Sequence, residues 1–335
     1  MKVSVLIPTY NRGYIIRDAL ESVLNQTYRD FEILVIDDGS SDGTREIVGK
    51  FGEEKIHYLR HDRNRGCSAA YNTGISAAGG ELVGFLDSDD IWKSDYLERQ
   101  VNLLSRHPEV GVVFTDTEIR SEFATIPSLI ELMKAFPKVL EVYPKAEEYF
   151  LSGREMYRCL LEEVPIKPSA CVVRREMFEE AGVFDEAWPS GTDWDLFFRL
   201  SRSARFGYIN RPLVVQRRTS DATHQMFCEQ DKTFLLSIFT KEKEKLRHDP
   251  ESLCAVNRGL SGLYNSLAWI YLERDERTRA LSLYLRGFKE TKSPMLLRKF
   301  VIGLIRIAGR SVTRAHVRKS KDASAAESRM DAEKR

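Results

Sequence analysis

Three apolar runs within residues 1–90 each end in a cluster of polar side chains, and no other feature of the sequence narrows the possible folds as much. Val3–Ile7 leads into Pro8-Thr-Tyr-Asn-Arg12, Ile33–Ile36 into Asp37-Asp-Gly-Ser40, and Leu82–Leu86 into Asp87-Ser-Asp-Asp90. Between them the periodicity becomes helical, with Ile15, Ile16, Leu20, Val23 and Leu24 on one face. A second helix starts near Thr44, where Ser41 or Asp42 can cap it. Ile56–Arg60 reads as a further strand, Ala69–Ala78 as a helix, the stretch from about Asp95 as another helix, and Val110–Phe114 as a strand. Short continuous apolar strands alternating with helices predict an α/β fold, a mostly parallel sheet covered by helices on both faces.

In open parallel sheets, ligands bind beyond the carboxyl ends of the strands. All three polar clusters fall on that edge, so they can build one site. The group Asp87, Asp89 and Asp90 is the most demanding. Carboxylates crowded at a strand end repel one another and stay ionised cheaply only beside a cation. Their hard oxygens suit Mg²⁺ or Mn²⁺, ions that keep positions open for phosphate oxygens. A departing diphosphate gains negative charge that such an ion neutralises.

These residues give the chain a resemblance to glycosyltransferase family 2. It is carried by Val5-Leu-Ile-Pro-Thr-Tyr-Asn11, Asp37-Asp-Gly-Ser-Ser-Asp-Gly-Thr44, Asn64-Arg-Gly66 with Ala70 and Asn72-Thr-Gly74, and Phe85-Leu-Asp-Ser-Asp-Asp90. Phe184-Asp185 and Thr192-Asp-Trp-Asp195 extend it to about residue 220. The resemblance implies the Rossmann-like GT-A fold and an inverting, metal-dependent transfer of a sugar from a nucleoside-diphosphate donor, with UDP favoured. It implies that Pro8 and Tyr10 border the nucleobase, that Asp38 accepts a hydrogen bond from it, and that Asp87 approaches the ribose. Asn11, Arg65, Gly66 and Asn72 belong by the same resemblance to the nucleotide-sugar site. Asp89, closing the Asp-x-Asp motif, would ligate Mg²⁺ or Mn²⁺. Asp193 stands where the family places the base that deprotonates the acceptor hydroxyl.

Some residues depart from the family pattern. Thr192 replaces the usual Glu before the base. Tyr71 stands where Arg is common, so a positive contact to the donor must come from elsewhere, with Arg65 one source. Gln216-Arg-Arg-Thr219 lacks the His that often follows the arginines, and His224 lies a few residues on. The Gln-x-x-Arg-Trp signature of processive synthases is absent, which suggests one sugar per encounter.

Other classes fit less well. A sugar nucleotidyltransferase would need a glycine-rich loop after the first strand, where Pro8-Thr-Tyr-Asn-Arg12 stands. A nicotinamide-dependent oxidoreductase would need G-x-G-x-x-G after a strand. A catalytically inactive sugar-nucleotide-binding or interaction protein would be expected to lack Asp89 or Asp193, and both are present. The net charge of +1 gives no field that attracts nucleic acid. The five cysteines are scattered and odd in number, as in reduced cytosolic proteins.

The length of 335 residues, with 42% hydrophobic and 30% charged side chains, suits one large α/β domain plus an appendage. The expected division is a nucleotide-sugar half over 1–115 and an acceptor-side half over 116–226, then a helical region over 227–319 and a disordered tail over 320–335. Residues 121–163 read as helices and loops. Leu263–Arg274 and Arg277–Thr291 form a helix pair, similar either to one tetratricopeptide-type hairpin or to an ordinary docked hairpin. No signal peptide or spanning run is evident, so the expected location is cytoplasmic, or the cytoplasmic membrane face. Residues 295–314 place Leu297, Phe300, Val301, Leu304 and Ile305 opposite Arg298, Lys299, Arg306 and Arg310. That amphipathic pattern suits contact with an anionic membrane and, through it, a glycan or lipid-linked acceptor.

Overall fold

The computed structural model describes residues 1–52, 54–187, 192–218 and 229–305. The chain divides into two compact units, Met1–Val256 and Asn257–Arg335. The first unit opens with β1 (Val3–Thr9), α1 (Ile16–Leu24), β2 (Phe31–Asp37), α2 (Thr44–Gly49), β3 (Ile56–Arg60), α3 (Cys67–Ala77) and β4 (Leu82–Phe85). It continues through β5 (Asp90–Trp92), α4 (Tyr96–Arg106), β6 (Val110–Ser121), β7 (Thr125–Ile126), α5 (Phe136–Leu140), β8 (Glu148–Leu151) and α6 (Gly153–Leu160). Then come β9 (Cys171–Arg174), α7 (Met177–Ala181), α8 (Thr192–Leu200), β10 (Arg205–Arg218), α9 (Glu229–Lys245) and α10 (Pro250–Glu273), which runs across the division.

One sheet holds every strand of the described residues, in the order β3-β2-β1-β4-β9-β6-β10-β5, with β7 on β6 and β8 on β10. β3, β2, β1 and β4 are mutually parallel, as are β6 and β10. β9 runs antiparallel to both β4 and β6, which leaves those two pointing the same way. One edge of the sheet therefore collects the carboxyl ends of β1, β2, β3, β4, β6 and β10. The sheet is covered on both faces. Val3, Val5 and Ile7 alternate onto the face of Ile16, Leu20, Leu97 and Val101 in one core. On the other face α3 lies so close that a Cβ on Gly74 would meet Ile36 at 2.9 Å and Leu6 at 3.0 Å.

The resulting α/β architecture is the expected one, with differences in detail that have local causes. β1 runs on through Pro8 to Thr9. Leu6 accepts from the Leu86 amide at 2.9 Å, and β4 ends its pairing there, so the missing Pro8 N–H faces a side with no ladder to break. β10 is the longest strand among the described residues and carries Asn210-Arg211-Pro212 in its course. The sheet takes them up as register irregularities between Ile209 and Val214. β8 lies inside the stretch read as helices and loops, and gains its ladder from β10. Asp42 does serve the α2 terminus, accepting from the Thr44 amide at 3.0 Å.

The second unit holds the end of α10, α11 (Arg277–Thr291) and a last helical stretch over 294–305. Tyr264 is buried and donates to Glu290 at 2.5 Å, and Gly287 lets Tyr264 and Leu296 approach the α11 backbone. In the last stretch Leu296 is buried, whereas Leu297, Val301, Leu304 and Ile305 stand exposed at helical spacing. The remainder of the amphipathic 295–314 segment, with the tail over 320–335, lies outside the described residues. No helix among the described residues is long and apolar enough to cross a membrane.

Candidate active site

The order β2-β1-β4 makes β1 a topological switch point, where a crevice opens beyond the strand ends. Sequence places the polar clusters there, and hydrogen bonds fix them. Asn11 adopts a left-handed φ of 52°, a conformation asparagine tolerates well. Its amide donates to Ser40 Oγ at 2.8 Å and its side chain accepts from the Ser41 amide at 2.9 Å, joining the loops after β1 and β2. Pro8 is buried in β1, and Tyr10 stands 45% exposed at the rim.

Asp38 organises the opposite wall. Its Oδ1 accepts from the Arg65 amide at 2.8 Å and lies 2.7 Å from His61 Nδ1, while Oδ2 accepts from the Gly66 amide at 2.7 Å. This draws the 64–66 turn onto the end of β2, with Gly66 at φ 94° leading directly into α3. Arg65 extends away to an ion pair with Glu186 at 3.0 Å. Asn72 bonds the Phe184 amide and carbonyl, each at 2.9 Å, and Glu186. It therefore ties α3 to the loop that precedes α8.

The first turn of α3 is the hub of the site. Ser68 and Thr192 hydroxyls meet at 2.7 Å, which sets the start of α8, and so Asp193 in its first turn, beside α3. Tyr71 donates to Asp87 at 2.6 Å, its ring stacked on Phe184 at 5.1 Å. Cys67 lies between these anchors, one turn before Tyr71 on the same helical face. Its thiol is open to solvent, yet protein crowds round it on the other sides. That desolvation, followed by the charges of Asp87, Asp193, Asp38 and Asp89, holds the thiol well above its ordinary pKa. Four carboxylates from three separate segments thus converge on one crevice.

The cluster after β4 is deeply placed. Asp89 is 6% exposed, with Arg12 at 3.7 Å as its ion-pair partner. Burial, then Asp87 and Asp89, push the Asp90 carboxyl well above the usual range. Arg217 of β10 donates to the Asp89 carbonyl at 2.6 Å and bonds Asp18. Arg12 and Arg217, not Arg65, are therefore the guanidinium groups at the acid cluster. Sequence reading missed both, along with Cys67 and His61. Arg12 closes the polar cluster after β1 and Arg217 belongs to Gln216-Arg-Arg-Thr219, so both lay in stretches that the sequence marked.

The donor set suits a hard cation. Among the described residues no three His, Cys, Asp or Glu side chains enclose an ion. An octahedral Mg²⁺ or Mn²⁺ needs only one or two carboxylates when diphosphate oxygens supply the rest. Asp87 and Asp89 fit that demand, and His224 lies outside the described residues.

Comparison with known proteins agrees with this arrangement. The family model Glycosyl transferase family 2 matches residues 4–182. An uncharacterized glycosyltransferase of Rickettsia felis is 30% identical over 257 residues, covering 74% of this chain and 40% of that protein. The Escherichia coli protein WfgD, a UDP-Glc:alpha-D-GlcNAc-diphosphoundecaprenol beta-1,3-glucosyltransferase, is 41% identical over 117 residues, 35% of this chain and 46% of its own. The matches span 29 to 64% of the length of the rickettsial relatives. Among solved structures, S. aureus TarS 1–349 in complex with UDP-GlcNAc has a TM-score of 0.59 at 18% identity, over 80% of this chain and 82% of that one. Mannosyltransferase PcManGT from Pyrobaculum calidifontis, with GDP-Man and Mn²⁺, has a TM-score of 0.55 at 20% identity, over 92% and 86%. At such identities the likeness is one of fold.

Proposed function

The chain belongs to glycosyl transferase family 2, and from that premise we propose that it transfers a sugar from a nucleoside-diphosphate donor to an acceptor hydroxyl, inverting the anomeric centre. The observation that carries this reading is the convergence of Asp38, Asp87, Asp89 and Asp193 around the first turn of α3. The division of labour we propose gives residues 1–115 to the donor and 116–226 to the acceptor. UDP is the favoured nucleotide because the names of WfgD and the TarS complex both carry it.

In this reading Tyr10 and Pro8 border the base, and Asp38 takes a hydrogen bond from it through the remaining lone pairs of its carboxylate. Asn11, Gly66 and Asn72 hold the walls, while Arg65 is kept beside the site by Glu186. Asp87, oriented by Tyr71, meets the ribose. Asp87 and Asp89 would hold a divalent cation. When bound, such an ion neutralises charge on the leaving diphosphate. Asp193 removes the acceptor's proton as its hydroxyl attacks opposite the leaving group.

WfgD is named for a diphosphoundecaprenol acceptor, and we propose a lipid-linked acceptor for this chain too. The exposed face of Leu297, Val301, Leu304 and Ile305 would rest on the cytoplasmic membrane surface where such lipids reside. The test is to incubate the protein with UDP-sugars, Mn²⁺ and a bacterial lipid extract, and to follow nucleotide release. NMR of the fresh product should show inversion, and retention would contradict direct displacement.

A further inference from the structure

A second cleft lies on the same edge of the sheet, lined by none of the residues given a role in donor binding or catalysis above. It has a volume of about 890 Å³ and is bounded by the end of β6, the 127–133 segment, α5, the 141–145 loop, β8 and β10. This is within the range of small-molecule sites, which run to about 1,000 Å³. Its position follows from register. Gly84 of β4, Val172 of β9, Val113 of β6 and Gly207 of β10 lie in line across the sheet. Asp116 stands three residues beyond Val113, and Asp87 three residues of sequence beyond Gly84, both toward the carboxyl-end edge of the sheet. Two strand spacings separate β4 from β6, roughly 10 Å.

The lining has a distinctive chemistry. Asp116 is 4% exposed, and its Oδ1 accepts from the amides of Thr117, Leu129 and Ile130. Asp116 lines the cleft, and its Oδ2 has no hydrogen-bond partner among the described residues. Tyr143 and Tyr149 contribute flat apolar surface, their hydroxyls engaged with Glu155 and the Ala146 amide. Glu131 and Glu141 add acceptors around the rim, which Asn210 also lines. Acceptors beside aromatic faces suit a neutral sugar, whose hydroxyls donate and whose C–H faces pack on rings. An anion would meet three carboxylates against one amine, that of Lys145.

We propose that this cleft binds a saccharide segment of the acceptor, one or two sugar units away from the hydroxyl that reacts. The proposal rests on the transferase reading for the word acceptor, but saccharide binding itself can be measured without a donor. Saturation-transfer NMR on the full chain, with no nucleotide or metal, would use neutral disaccharides such as lactose, maltose and di-N-acetylchitobiose. At least one should show binding in the wild type, in Asp89→Ala and in Asp193→Asn. Glu141→Trp and Glu131→Trp, which fill the rim from exposed positions, should each weaken it at least tenfold while keeping the wild-type melting curve. Binding unchanged in both folded rim variants, or absent for every disaccharide in the wild type, overturns the proposal. Loss of donor binding with saccharide binding intact would instead count against the transferase reading and leave the cleft assignment standing.

Discussion

Asp89 shows how a single residue can matter to chemistry while working against stability. It is almost fully buried, next to Asp87 and Asp90, with the Arg12 guanidinium 3.7 Å from its carboxylate and Arg217 bonded to its carbonyl. Removing it relieves repulsion, so Asp89→Ala should melt no lower than the wild type, while metal-dependent donor binding disappears. Transfer at an undiminished rate in EDTA would show that the cation assignment is wrong. Asp193 predicts a different signature. Asp193→Asn should keep donor affinity and lower turnover by about 10²–10⁴-fold, the usual worth of a positioned base. Parallel measurement of donor binding and turnover separates the two, because a donor ligand would lose both together.

At the scale of elements, the site depends on α3 being pressed onto the sheet. Gly74→Val would drive methyl groups into Leu6 and Ile36, a type of overpacking that costs about 1–3 kcal/mol. Urea unfolding should report that loss, with weaker donor binding because the first turn of α3 carries Cys67, Ser68 and Tyr71. The amino ends of β1 and β2 are pinned by Glu32, which accepts from Lys2, Ser4 and the Gly79 amide. Burial alone would raise the Glu32 pKa, but these bonds outweigh it and lower it below the ordinary 4.5. The carboxylate therefore stabilises the fold above the unfolded value, and this contribution fades as pH falls through the lower folded one. Melting temperature should drop with acid below about pH 4.5, and less steeply in Glu32→Gln. Local patterns made β2, β3 and α11 legible in the sequence, because apolar periodicity encodes each without help. β10 was not legible, since Pro212 and Gly207 obey turn preferences that only the neighbouring strands override. In the site, the carboxylates could be read because they follow strands directly. Arg217 lay in a segment that the resemblance marked, but its partner could not be read, since it reaches Asp89 across 128 residues of sequence.

For the whole molecule, the proposed account gives the chemistry to Met1–Val256 and a membrane contact to the C-terminal segment. A chain truncated before Pro294 should lose co-sedimentation with anionic liposomes at low salt yet retain donor binding. Equal sedimentation by both forms would remove the C-terminal segment as a membrane contact. The central claim is that this is a cation-assisted nucleotide-sugar site, and equilibrium binding tests it most directly. Titrating the full chain with UDP- and GDP-sugars in Mn²⁺, and again in EDTA, should reveal at least one donor that binds in Mn²⁺. That donor should bind at least tenfold more weakly in EDTA and to Asp89→Ala. Failure of every nucleotide sugar to bind in Mn²⁺, or equal affinity with and without the ion, would contradict it.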